Sequence, residues 1–344
     1  MLIPKVARMR RNLCVLVLLL PGFAMPQEVV ILPGLNGAIE WLQQEDWWGE
    51  ARRGEQMAVP RALITGINPA WRETAKALPV GKKKEVFYRL MLPLVVHANE
   101  LVIKRRDWLN ERREQLVKGS GLTPAQLEAL RDAAILLRIR SAETAQSLGA
   151  SNEELIEVID QALYRLDVIP PGLVLGQAAY ESGYGTSRFA VEGNALFGQW
   201  TYGGQGLVPG QQRSELGDHR IAAFDWPFDS VRGYYLNLSS HPAYEDFRRL
   251  RAELKAAGKP VTSLALADGL VRYSERGREY VDTLKGMIRV NRLDLADDAK
   301  FRDQPRRFIV GARNAQAAQA LDKELQAMRA AGEVERIVER MRLD

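Results

Sequence analysis

Cysteine is nearly missing from this sequence. One residue, Cys14, stands among 344, and there are only three histidines, His97, His219 and His241. Cys14 lies in the apolar run Leu13–Leu20 near the N-terminus. The rest of the chain therefore has no disulfide framework, thiolate nucleophile or cysteine metal site. The histidines show no HExxH-like spacing, so no metal centre is expected and each reads as structural or solvated. No residue pattern calls for a cofactor. A strong excess of one charge is lacking too: Lys and Arg number 48 against 43 Asp and Glu, a net +5. Four basic residues, Lys5, Arg8, Arg10 and Arg11, fall before Ala24 with no acid beside them. Without them the balance is +5 − 4, about +1, and nucleic-acid binding loses its compositional support.

Those four residues precede the Leu13–Leu20 run, a Pro21–Gly22 break, and small residues at Gly22 and Ala24. Charge, short apolar run and small-residue site together predict an export signal over 1–24, giving a periplasmic protein. The run is shorter than the roughly 18–20 apolar residues that cross a bilayer. Membrane contact is expected only where that segment is retained as an anchor. The chain as a whole has the composition of a soluble globular protein, 46% hydrophobic and 26% charged.

Residues 25–75 are mixed, with turn signals at Pro33–Gly34 and Asn68–Pro69, and read as a linker whose Trp41, Trp47 and Trp48 pack on the main body. A helical lead-in is expected over 76–165. Phe87, Leu90, Leu94, Ala98, Leu101 and Trp108 recur at three- and four-residue steps along a helix interrupted near Pro93. Thr123 with Gln126 and Ser151 with Glu154 have the form of capping boxes. Pro170–Pro171 opens a short helix of small apolar residues to Ser182. Glycines from Gly193 to Gly217 predict a loop and a small β-hairpin turning near Leu216–Asp218, after which helices return through 293. The end, 296–344, reads as a charged, amphipathic helical extension. The fold class expected is mainly α.

Chemistry concentrates at QAAYESGYGTSRFA, residues 177–190. Glu181 ends a helix-forming run, with Gly183 placed as its C′ glycine. A carboxyl there meets the negative end of the helix dipole and the desolvating rings of Tyr180 and Tyr184. Both favour the neutral acid, the form that protonates a leaving-group oxygen. The alternative reading is a helix cap carrying an incidental acid. Downstream, Asn194, Phe197, Trp200 and Tyr202 interleave with glycine, a pattern that suits a sugar cleft and equally suits core packing.

These stretches, Val174–Ser187 and Asn194–Gly198, together with His241-Pro242-Ala243-Tyr244 and Tyr273-Ser274-Glu275-Arg276-Gly277-Arg278-Glu279-Tyr280, resemble the bacterial glucosaminidase domain, family 73 of the glycoside hydrolases, and within it the Bax-type proteins. The resemblance covers roughly residues 75–293, with the domain itself placed at 166–295. It implies a lysozyme-like helical fold with a small β-lobe, cutting peptidoglycan glycan strands at N-acetylglucosamine bonds. By motif position Glu181 is implied as general acid and Tyr273 as the tyrosine opposite it. Tyr280 is the motif's second tyrosine, with packing as its other reading. The sugar contacts expected are Tyr184, Asn194, Phe197, Trp200, Tyr202 and Tyr280.

A second acid on the hairpin is less well marked. Glu215 is best placed, with Asp218 and Asp225 behind it. If Glu215 activates water the reaction inverts; if no acid faces Glu181, the substrate's acetamido group serves as nucleophile. A lytic transglycosylase and a non-catalytic wall-binding protein are the competing readings.

Overall fold

The computed structural model describes residues 28–48, 54–67, 69–202, 206–208 and 219–331. The expected export segment, the hairpin turn at Leu216–Asp218 and the last residues of the tail lie outside the described residues. The chain begins with β1 (Glu28–Pro33), α1 (Gly34–Gln44), β2 (Ala58–Val59), β3 (Ala62–Ile64), α2 (Pro69–Ala77) and α3 (Val80–Val117). It continues through α4 (Pro124–Leu136), α5 (Ala142–Gln146), α6 (Asn152–Arg165), α7 (Pro171–Ser182) and α8 (Arg188–Gly193). The short pair β4 (Trp200–Tyr202) and β5 (His219–Ile221) precedes α9 (Pro227–Ser240), α10 (Glu245–Ala256), α11 (Ser263–Leu266) and α12 (Arg278–Val290). Strands β6 (Lys300–Phe301) and β7 (Arg307–Ala312) and helix α13 (Ala315–Ala330) complete it. The fold is mainly α and lysozyme-like, with one small antiparallel pair, β4–β5, beside the helices.

Helix α3 is the axis. Its length and composition would let it cross a membrane, but Phe87, Leu94, Val95 and Val102 are buried within the protein, which makes it a core helix. Its first half packs with α7, α9 and α12 into the main core, and its second half meets α4 and α6 in a smaller one around Leu109, Leu130 and Ile159. The expected interruption at Pro93 does not occur; the helix runs through it. Proline lacks an N–H, so the carbonyl four residues earlier, on Arg89, loses its helical donor. Trp47 Nε1 donates to that carbonyl at 3.0 Å.

Capping chemistry sets several helix starts. Thr123 and Gln126 form the full reciprocal box expected. At Ser151 only half of it exists: Ser151 Oγ accepts from Glu154 N, while Glu154's carboxylate turns to the amides of Gly149 and Ala150. A further box, Ser141 with Thr144, was not foreseen, because threonine replaces the usual Glu or Gln at the third helical position.

The largest departure from the sequence reading is a parallel sheet. β7 inserts between β1 and β3, with Val30 in register with Ile309 and Leu63 with Phe308. The segments read as a linker and as a helical extension therefore close on each other, although α13 keeps the tail's helical character. Ion pairs fasten this layer: Arg61 grips Glu100 of α3 through two 2.9 Å bonds, and Arg307 pairs with Glu45. As expected, Trp41 and Trp47 are buried and Trp48 packs against the core.

Candidate active site

Helix α7 is nearly all small and apolar because it threads the middle of the core, and Leu173, Val174, Leu175 and Ala178 are buried on all sides. Gln177 and Glu181 interrupt that pattern, one helical turn apart and so on one face. The helix stops at Gly183, whose φ of +58° is the left-handed cap that glycine adopts without strain. Ser182 Oγ accepts from Gly185 N at 2.8 Å and fixes the turn beyond.

Glu181 is half-buried at this helix end. Its Oε1 accepts from the Tyr280 hydroxyl of α12 at 3.0 Å. Oε2 looks toward Gly198; a Cβ built there would lie 3.8 Å away. Burial pushes the Glu181 carboxyl above the ordinary carboxylate range, and the Tyr280 donation only partly offsets it. The direction is the one expected, and burial is its leading cause.

Tyrosines enclose the acid. The Tyr273 and Tyr280 rings stack at 5.6 Å, Tyr180 meets Tyr280 edge-on at 5.4 Å, and Tyr244 lies 5.9 Å from Tyr273. Burial first, then neighbouring tyrosines and Glu181, hold the Tyr273 hydroxyl far above its usual value; it stays a neutral donor and gives its hydrogen to the Phe197 carbonyl at 3.2 Å. Arg276 reaches the Tyr180 hydroxyl at 2.5 Å and Glu279 at 2.6 Å.

Several expected sugar contacts are placed elsewhere. Phe197 is buried, its ring stacked on Tyr234 at 4.2 Å, so it is a core residue that offers the site only its carbonyl. Asn194 takes a left-handed cap at φ +48°, and its amide serves backbone alone. Oδ1 accepts from Ile67 N, and Nδ2 donates to the carbonyls of Phe224 and Asp225. Tyr184 turns its ring to Phe87 and Tyr88 of α3, with Lys83 and Lys84 over its face. Tyr280 is buried and touches the acid, not an open cleft. The roles expected for Glu215, Asp218 and the side chains of Trp200 and Tyr202 lie outside the described residues. Asp225 is exposed, next to Asp229.

Gln177 and Tyr234 were missed. Tyr234's hydroxyl donates to Gln177 Oε1, and Gln177 Nε2 donates to Tyr280 at 2.9 Å. The available signal was a glutamine inside an otherwise apolar helix, one turn before the acid. Among the described residues no group of His, Cys, Asp and Glu is placed to hold a metal ion. A separate cavity of about 80 Å³ at the carboxyl ends of β1, β3 and β7 is lined by Leu35, Ile64, Trp71 and Phe87 and has no acid in its walls.

The glucosaminidase family profile, described as mannosyl-glycoprotein endo-beta-N-acetylglucosaminidase, matches residues 157–293. Protein bax of Escherichia coli (strain K12) is 30% identical over 210 residues, which cover 61% of this chain and 70% of that protein. The chain belongs to the glucosaminidase-domain family, with the Bax-type proteins. No solved structure matches it. Family membership makes it a glycoside-hydrolase-type enzyme with a glycan substrate. The family span contains Glu181, Tyr273 and Tyr280, whereas the strands of the parallel sheet lie outside it.

Proposed function

We propose that this glucosaminidase-domain protein is an exported peptidoglycan hydrolase that cleaves β-1,4 N-acetylglucosaminyl bonds, with Glu181 as general acid. The supporting observation is a carboxyl held toward its protonated form at the end of a buried helix, with one oxygen bound to Tyr280 and the other toward Gly198. In the reaction the Glu181 proton passes to the glycosidic oxygen as the C1–O bond breaks, and Glu181 is left as a carboxylate. Tyr280 stabilises that carboxylate as it forms. Tyr273, stacked on Tyr280, borders the position where the oxocarbenium-like sugar develops. The substrate's acetamido oxygen attacks C1 from the opposite face, so Glu181 is the only protein acid the step requires; it later deprotonates the water that opens the intermediate. Export rests on the basic, apolar and small-residue order of positions 1–24.

Glu181→Gln tests the assignment because it keeps size and packing. Digestion of purified sacculi is expected to fall by about 10²-fold or more, the usual scale of a general acid, with glycan binding and melting temperature retained. Equal activity in both proteins would remove Glu181 from the mechanism. Mass spectrometry of the wild-type digest should show reducing N-acetylglucosamine ends; anhydro-muramic ends would make the enzyme a lytic transglycosylase.

A further inference from the structure

Behind the acid, away from Gly198, three buried side chains form one directed line of hydrogen bonds. Tyr234 on α9 donates to Gln177 Oε1, Gln177 Nε2 donates to the Tyr280 oxygen at 2.9 Å, and Tyr280 donates to Glu181 Oε1 at 3.0 Å. Tyr234, Gln177 and Tyr280 are all essentially inaccessible to solvent. A buried amide in such a place has two orientations, and they are not equivalent. In the observed one, the hydroxyl of Tyr234 has an acceptor and Tyr280 receives a hydrogen from Gln177. The single hydrogen of Tyr280 is then directed at Glu181.

Turning the amide over would give Tyr280 an acceptor on the Gln177 side. Its hydrogen would leave Glu181, and the Glu181 proton would be drawn onto Oε1, facing the protein interior. Tyr234 would then meet an N–H with its own O–H, and a buried hydroxyl that loses its acceptor costs about 1–3 kcal/mol. Tyr234 thus selects the amide orientation, although its own hydrogen bond is to Gln177 and not to Glu181.

We propose that Gln177 and Tyr234 are positioning residues that fix the proton of Glu181 on Oε2, the oxygen on the Gly198 side, by forcing Tyr280 to donate to Oε1. The inference rests on Glu181 acting as general acid. It adds that the acid has a set proton position, not merely a favourable protonation state. As the proton leaves Oε2 for the glycosidic oxygen, charge grows on a carboxylate already held by a donor whose direction does not change during the step. No group other than Glu181 changes its proton count.

The groups facing Glu181 come from several elements. They are Tyr280 on α12, Tyr273 before it, Tyr234 on α9, and Tyr244 between α9 and α10, whose hydroxyls burial holds neutral. Two cations lie on the Tyr273–Tyr280 segment: Arg276 is engaged by Glu279 and Tyr180, and Arg278 by Asp268. Removing the Tyr234 hydroxyl therefore changes the direction of the line without adding or removing a charge.

The test compares Tyr234→Phe, Gln177→Met and Glu181→Gln with wild type, reading kcat, KM and the pH dependence of kcat on purified sacculi, together with thermal melts. In Tyr234→Phe, kcat should fall roughly tenfold, part of the usual general-acid contribution of about 10²–10⁴, with KM unchanged. Loss of the Tyr280 donation favours the neutral carboxyl, so the alkaline limb of the profile should move to higher pH. Gln177→Met takes away the hydrogen given to Tyr280, so Tyr280 is no longer obliged to donate to Oε1 and can accept the Glu181 proton instead; kcat and the alkaline limb should move in the same directions, by less. If both folded variants keep the wild-type kcat and limb while Glu181→Gln is inactive, the positioning role is wrong and the general acid stands. If Glu181→Gln is fully active, both fall. A lower melting temperature alone, with the profile unmoved, reduces Gln177 and Tyr234 to packing residues and overturns the proposal.

Discussion

The Tyr280 hydroxyl hydrogen points at Oε1 of Glu181 across 3.0 Å, from a residue 99 positions further along the chain. A donor to a carboxylate stabilises the ionised form, while burial of the same group stabilises the neutral one, and here burial dominates. Tyr280→Phe removes the weaker influence. The acid should then stay protonated to higher pH and the alkaline limb of the activity profile should move upward. Maximal turnover should fall by about tenfold, because the carboxylate formed in the step loses its donor. A pH–rate profile on sacculi reads both changes.

Gly198 has a φ of +58° and faces Glu181 Oε2. Gly198→Ala adds about 1–2 kcal/mol of left-handed backbone strain and places a methyl group 3.8 Å from that oxygen. The variant should fold with a slightly lower melting temperature and lose about tenfold in kcat/KM. A variant as active as wild type would show that the glycan does not approach from this side.

The substrate-assisted reading predicts a β-configured product and a dispensable Glu215. Glu215→Gln should digest sacculi at close to the wild-type rate, and NMR of the first product should show retention. Inversion together with an inactive Glu215→Gln would make Glu215 the base that activates water.

Trp47 satisfies the Arg89 carbonyl that Pro93 leaves free. Trp47→Phe keeps an aromatic ring but removes the N–H. The half-buried carbonyl then lacks its donor, a loss of about 1–3 kcal/mol. Urea unfolding should show the lower midpoint with turnover unchanged, since this contact lies outside the tyrosine cluster around Glu181.

Glu100 reports on the parallel layer. Burial alone would raise its carboxyl, but His97 and the two bonds from Arg61 outweigh this and hold it at about 2 against an ordinary 4.5. A depressed carboxyl contributes stability that is complete above about 4.5 and is lost as pH falls toward about 2. The melting temperature of Glu100→Gln should lie below wild type at neutral pH, and the two should converge through that acid window.

Local pattern determined much of this protein. Three- and four-residue apolar spacing marks α3 and α6, and the Thr123 box opens α4. Gly183 ends the helix that carries Glu181, because that signal depends on neighbours a few residues apart. The ordered motifs from Val174 to Tyr280 were enough to indicate the family. What only the tertiary structure decided depends on partners far apart in sequence. β7 pairs with β1 across 279 positions at Val29 and Phe308, and strands of two to six residues have too little period to announce such a partner. Phe197 and Tyr280 could face a sugar or the core with the same local sequence, and contact with Tyr234 and with Gln177 and Glu181 fixed their directions. The sequence placed an acid at a helix end. The fold decided which of its oxygens is held from behind, because that depends on hydroxyls contributed by α9 and α12.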